Sequence, residues 1–107
     1  MLQRDEALAA IVARVVELYR PERVYLFGSK ARGDAGPDSD YDVLAVVPDD
    51  AEPERSQSRR FYENCWDLPR GADVLIWRRS RFDAQAARVV ASLPATVLRE
   101  GRLLYAA

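Results

Sequence analysis

Apolar residues Leu8, Ile11, Val12, Val15, Val16 and Tyr19 recur three and four positions apart, with charges between them. That period predicts an amphipathic helix from about residue 3 to about residue 20, ended by Pro21, which cannot continue it. The pattern then changes. Arg23-Val24-Tyr25-Leu26-Phe27 is a β-branched and aromatic run closed by Gly28, and it predicts a strand. Ser29 to about Arg32 suits a short helix, and Gly33 to Ser39 has the composition of a loop. Asp40 to Val47 predicts a second strand, stopped by Pro48.

An acidic linker, 49–53, leads to a predicted helix from Glu54 to Leu68 with Phe61, Tyr62, Cys65 and Trp66 as its apolar stripe. Pro69-Arg70-Gly71 turns the chain into a third strand, Ala72 to Trp77. Ser80 is the expected N-cap of the next helix, with Asp83 three residues on and Phe82, Ala86, Val89 and Val90 as its stripe. Pro94 opens a last short helix that ends before Gly101, and Arg102 to Tyr105 suits a terminal strand or a packed tail. Alternating strands and helices predict an α/β or α+β fold, with a small mixed sheet of about three to four strands covered by helices. Residues 1–107 read as a single domain.

Composition narrows the chemistry. There is no histidine and one cysteine, Cys65. A His base, a Ser-His-Asp triad, a Cys-rich zinc site and an internal disulfide are therefore excluded. The 16 basic and 17 acidic residues nearly cancel, which gives no general pull toward nucleic acid or an anionic membrane. With no leader pattern and no apolar run of ~18 residues, the expectation is a cytoplasmic protein with no membrane partner. Carboxylates, hydroxyls, cationic side chains and a hard metal ion are what remain.

Asp40 and Asp42 open a strand that is otherwise apolar on both faces, and alternation puts both on one face with Leu44 and Val46. Their Cα atoms are about 7 Å apart, at ~3.3–3.4 Å per residue. Unpaired, the two carboxylates would repel each other, and a divalent ion removes that cost. Oxygen-only ligation points to Mg²⁺ or Mn²⁺. Asp73 interrupts the third strand in the same manner. If that strand neighbours the second, three carboxylates converge, two metal ions could share them, and Asp73 could serve as a base. Gly28-Ser29 ends the first strand, where a glycine permits close backbone approach and a hydroxyl and amide can meet phosphate. Lys30 and Arg32 add positive charge beside it, so the four residues are candidate nucleotide contacts.

The segment Phe27-Gly28-Ser29-Lys30-Ala31-Arg32-Gly33, followed by Ser39-Asp40-Tyr41-Asp42-Val43, resembles the signature of the DNA polymerase β-like nucleotidyltransferase superfamily. The short chain and Ala31-Arg32-Gly33 look most like its minimal nucleotidyltransferases (MNT proteins), many of which are antitoxins paired with HEPN-domain ribonuclease toxins. Lys30 departs from the arginine common there. The resemblance implies the nucleotidyltransferase fold, ATP as substrate, Mg²⁺ held by Asp40, Asp42 and Asp73, and phosphates cradled at Gly28 and Ser29. It further implies AMP transfer to a tyrosine of a partner HEPN toxin, and an oligomer with that toxin. Two alternatives stand beside it: a non-catalytic antitoxin that neutralises by binding, docking through Phe61, Tyr62 and Trp66, and a subunit of a small-molecule (antibiotic) nucleotidyltransferase. Away from the signature, Arg55, Arg59 and Arg60 are expected on a solvated helix face, Trp66 and Trp77 as core or interface anchors, Cys65 as a buried thiol and Tyr41 as packed.

Overall fold

Asp5 fixes where the first helix begins. In the computed structural model, which describes residues 5–33, 36, 40–52 and 54–107, its carboxylate accepts the Leu8 N–H at 3.0 Å, as an N-cap does. Helix α1 runs Glu6–Tyr19. It stops at Arg20, which takes the left-handed conformation with φ 47°; a residue before proline is disfavoured in the helical region. The start expected near residue 3, most of the 33–39 loop and residue 53 of the acidic linker fall outside the described residues.

Strand β1 (Arg23–Phe27) passes directly into the one-turn helix α2 (Gly28–Arg32). Strand β2 is Tyr41–Val47, helix α3 Glu54–Glu63, strand β3 Ala72–Arg78, helix α4 Arg79–Arg88, helix α5 Leu93–Glu100 and strand β4 Arg102–Ala106. The C-terminal segment is thus a strand rather than a packed tail. The sheet order is β3-β2-β1-β4, with β2 and β3 parallel and the other neighbours antiparallel.

Both faces of the sheet are covered. Val24, Leu26, Tyr41, Val43, Ala45, Val47, Val74 and Ile76 pack under α1 and Phe61 of α3. Tyr25, Leu44 and Val46 pack under Phe82 of α4 and Val97 of α5. This explains why β2 is apolar on both faces after Asp42. Tyr41 is packed as expected, its hydroxyl donating to Asp5 at 2.5 Å. The Tyr19 phenol, pushed up to about 12 chiefly by burial, stays neutral and accepts the Phe61 N–H at 2.7 Å.

Four local expectations are corrected. Helix α3 ends at Glu63, not Leu68: the Asn64 side chain takes the Arg60 carbonyl at 2.8 Å, and the chain beyond closes in turns. The stripe therefore splits. Phe61 is core, Tyr62 is 42% exposed and Trp66 is 88% exposed, so Trp66 is no core anchor and Phe61 is not available for docking. Ser80 does not cap α4 with its own side chain. Arg78 precedes the helix without a side-chain cap, and the Asp49 carboxylate instead accepts the Ser80 N–H at 2.9 Å and the Ser80 hydroxyl. Val89 and Val90 lie beyond α4 and are exposed, because Ser92 begins α5 there, capping Ala95 while donating to the Gln85 carbonyl. Arg60 is not merely solvated either: it donates to the Leu18 carbonyl and pairs with Glu52.

Arg14 binds Asp67 through two guanidinium nitrogens, at 2.9 and 2.8 Å, and holds its carboxyl down at about 2. A depressed folded-state value means a contribution present above the unfolded value and lost as pH falls toward 2. Arg14→Ala should return Asp67 to the ordinary carboxylate range, read by NMR titration of its side-chain carboxyl. An unchanged midpoint would contradict the pairing. Among the described residues, no helix is long and apolar enough to cross a membrane.

Candidate active site

The parallel pairing of β2 with β3 sets Asp42 directly beside Asp73 in register, and the antiparallel pairing of β1 sets Phe27 on its other side. Asp40 precedes β2, on the same face by alternation. The carboxylates thus gather where β1 ends and β2 and β3 begin, and α2 starts at that edge. This is the neighbour relation that the sequence could only state as a condition.

Gly28 makes the approach possible. Its φ is +74°, a conformation that costs a side-chain-bearing residue roughly 1–2 kcal/mol. A Cβ there would stand 2.2 Å from Asp42 Oδ2 and 3.1 Å from its carboxyl carbon. The Asp42 carboxylate therefore lies against the bare Cα of Gly28. Gly28→Ala should destabilise the fold by about 1–3 kcal/mol and displace Asp42. Chemical denaturation reads the first effect and nucleotide binding the second; a variant that binds nucleotide like the parent would contradict the contact.

Gly71 plays a parallel part for Asp40. A Cβ on it would meet Asp40 Oδ1 at 3.1 Å, and its carbonyl accepts the Tyr41 N–H at 3.3 Å. In the sequence Gly71 reads only as a turn residue. Its place just before a strand whose second residue is aspartate was the available signal.

Burial holds the Asp42 carboxyl above its ordinary value, with repulsion from Asp73 and then Asp40 adding to it and Arg32 opposing. A carboxylate raised by burial and then by two neighbouring carboxylates favours a positive charge beside it. The donor set is all oxygen, which suits a hard divalent cation. Among the described residues no group of three or more His, Cys, Asp or Glu side chains stands ready to hold a metal ion. Asp73 Oδ1 accepts the Tyr62 hydroxyl at 3.4 Å. The residues fit a cation in kind and in placement on the sheet.

Ser29 is half-buried in the first turn of α2, where backbone N–H groups have no intrahelical partner. Arg32 is exposed, and its charge reaches Asp42. Lys30 is placed otherwise: its ammonium lies over the Tyr41 ring, 4.6 Å from the centroid, and so on the face of β2 away from the carboxylates. Cys65 is half-buried and donates to the Tyr62 carbonyl.

A Gly-Ser strand end and an aspartate pair thus lie together at one end of the sheet, with a third aspartate in register on the next strand. The chain belongs to the nucleotidyltransferase domain family, whose sequence profile matches residues 8–102. No curated protein matches it significantly. Among solved structures, it is similar to a presumed nucleotidyltransferase from Sulfolobus solfataricus at 22% identity, with a TM-score of 0.62, covering 94% of this chain and 78% of that one. It is also similar to a toxin–antitoxin structure with AMP-PNP, at 17% identity and a TM-score of 0.55, covering 92% and 73% of the two chains. A mutant of the toxin–antitoxin pair MntA–HpeT follows at 19% identity and a TM-score of 0.53, covering 98% and 75%. At these identities the shared feature is the fold.

Proposed function

We propose that this chain is a single-domain, divalent-metal-dependent nucleotidyltransferase that moves AMP from ATP onto a protein hydroxyl. The acceptor is a tyrosine of a partner HEPN toxin, and the modification silences that toxin in the cytoplasm. The observation that carries the reading is the register of Asp42 with Asp73, beside Asp40 and against the Cα of Gly28. The likeness to toxin–antitoxin structures, one of them with AMP-PNP, supports the choice of nucleotide and partner.

Asp40, Asp42 and Asp73 would hold Mg²⁺, or Mn²⁺ in its place, and two such ions would neutralise the triphosphate and the developing charge. Gly28 leaves room for the Asp42 carboxylate at the strand end, and the Gly28-Ser29 turn, with the Ser29 hydroxyl and amide as donors, would cradle the phosphates. Arg32 supplies positive charge beside the same carboxylates. Asp73 accepts the proton of the attacking hydroxyl. That oxygen attacks the α-phosphorus, and pyrophosphate leaves. The gain comes from positioning and charge compensation. Lys30, held over Tyr41, fastens α2 to β2 in this arrangement.

The test uses ATP labelled at the α-phosphate, Mg²⁺ and the product of the adjacent gene. Label should move to that partner, and parent-level transfer by Asp42→Asn would sink the reading. A second reading rests on Trp66, 88% exposed on an otherwise folded surface: neutralisation by stoichiometric binding alone. In that case the same variant would protect cells from the partner as well as the parent does.

A further inference from the structure

Five tyrosines occur in the chain, and four of them are committed elsewhere. The Tyr19 hydroxyl holds the Phe61 amide, the Tyr25 hydroxyl accepts from Arg23, and the Tyr41 hydroxyl is given to Asp5. Tyr105 is half-buried on the α1 side of the sheet, away from the carboxylates. Tyr62 differs from all of them. It is 42% exposed. Its hydroxyl donates to Asp73 Oδ1 at 3.4 Å, and its oxygen accepts the Val74 N–H at 3.4 Å. The oxygen is thus fixed by a backbone donor while its proton is aimed at the carboxylate assigned as base. A held oxygen with a base near its proton is what an acceptor hydroxyl needs. Hydrogen bonds of this kind are commonly long before substrate binds and tighten afterwards.

We propose that Tyr62 is a self-nucleotidylation site, a built-in acceptor for the nucleotide that the Asp40/Asp42/Asp73 site binds. The inference rests on the transfer activity proposed above. In the reaction the Tyr62 Oη–phosphorus bond forms at the α-phosphate of a ribonucleoside triphosphate. The α–β phosphoanhydride bond breaks, pyrophosphate leaves, and the phenolic proton passes to Asp73. The product is a tyrosyl nucleoside-monophosphate phosphodiester on helix α3. With the acceptor position filled by its own modified side chain, the enzyme would be slowed toward any outside hydroxyl.

The experiment incubates the full chain with Mg²⁺ and ATP labelled at the α-phosphate, with and without the partner, and maps the label by intact-mass and peptide mass spectrometry. The proposal expects one nucleoside monophosphate on the peptide holding Tyr62 in the parent. Tyr62→Phe should lose that mark, and Asp42→Asn should carry none. Label on the partner with none on Tyr62, or a mark that persists in Tyr62→Phe, overturns the proposal while leaving the transfer reading standing. No label on either protein overturns both. A second measurement needs no turnover. A non-hydrolysable ATP analogue with Mg²⁺ should shield Tyr62 from nitration by tetranitromethane. If the analogue stabilises the fold and Tyr62 nitrates as before, the hydroxyl lies outside the nucleotide's reach and the proposal fails.

Discussion

Asp42→Asn should lower nucleotide transfer on the order of 10²–10³-fold or more, yet the variant should melt at a higher temperature than the parent when divalent metal is removed. The two effects have one origin. Burial and the neighbouring Asp73 and Asp40 hold the Asp42 carboxyl above its ordinary value. A folded-state value raised above the unfolded one means stability that is present at low pH and lost as pH rises through the folded value. At neutral pH the metal-free parent therefore carries an unfavourable charge that asparagine removes. Adding Mg²⁺ and an ATP analogue should reverse the order. A ligand at about 100 times its Kd stabilises the folded state by about 2.7 kcal/mol, and only the parent can gain it. Differential scanning fluorimetry with and without chelator reads both halves. A variant that melts below the parent in chelator would contradict the electrostatic account of Asp42.

The largest stability effect belongs to the other end of the same face. Phe82 of α4 is fully buried. Its ring stacks on Tyr25 at 5.8 Å between centroids and meets the edge of Trp77 at 6.4 Å, and the Arg23 guanidinium lies 5.3 Å above it. The cluster joins α4 to β1 and β3, so removing the ring leaves a cavity between helix and sheet. Phe82→Ala should cost about 3–5 kcal/mol in urea denaturation. Val89→Ala, one residue past α4 at an exposed position, should stay within about 0.5 kcal/mol of the parent. A Phe82→Ala cost under about 1 kcal/mol would show that α4 is not anchored through this ring.

Much of this arrangement is legible in the chain. The period-two pattern of β2 and β3 is enough to put Asp40 and Asp42 on one face and to mark Asp73 as out of place in an apolar strand. The Gly-Ser strand end and the helix of Leu8, Ile11 and Val15 are read from local pattern alone. What the pattern does not carry is partnership between distant residues. The order of strands puts Asp73 beside Asp42 through a crossover that no local signal specifies. The cap of α4 comes from Asp49, 31 positions before Ser80, so a scan for local capping residues picks the serine that is itself held. Trp66 reads as part of a helical stripe until Asn64 ends that helix early. Tyr62 shared the same stripe, and only the packing of α3 beside β3 brings its hydroxyl to Asp73. Lys30 lies one residue from Ser29, but the turn of α2 sends it to the opposite face.

The central claim is a site that binds a metal-bound nucleoside triphosphate between Gly28-Ser29 and the three aspartates. Isothermal titration calorimetry of the chain with a non-hydrolysable ATP analogue tests it most directly. In Mg²⁺ the account predicts saturable binding to one site, abolished by chelator and by Asp42→Asn. Binding that survives both, or no binding by the folded parent, would contradict it.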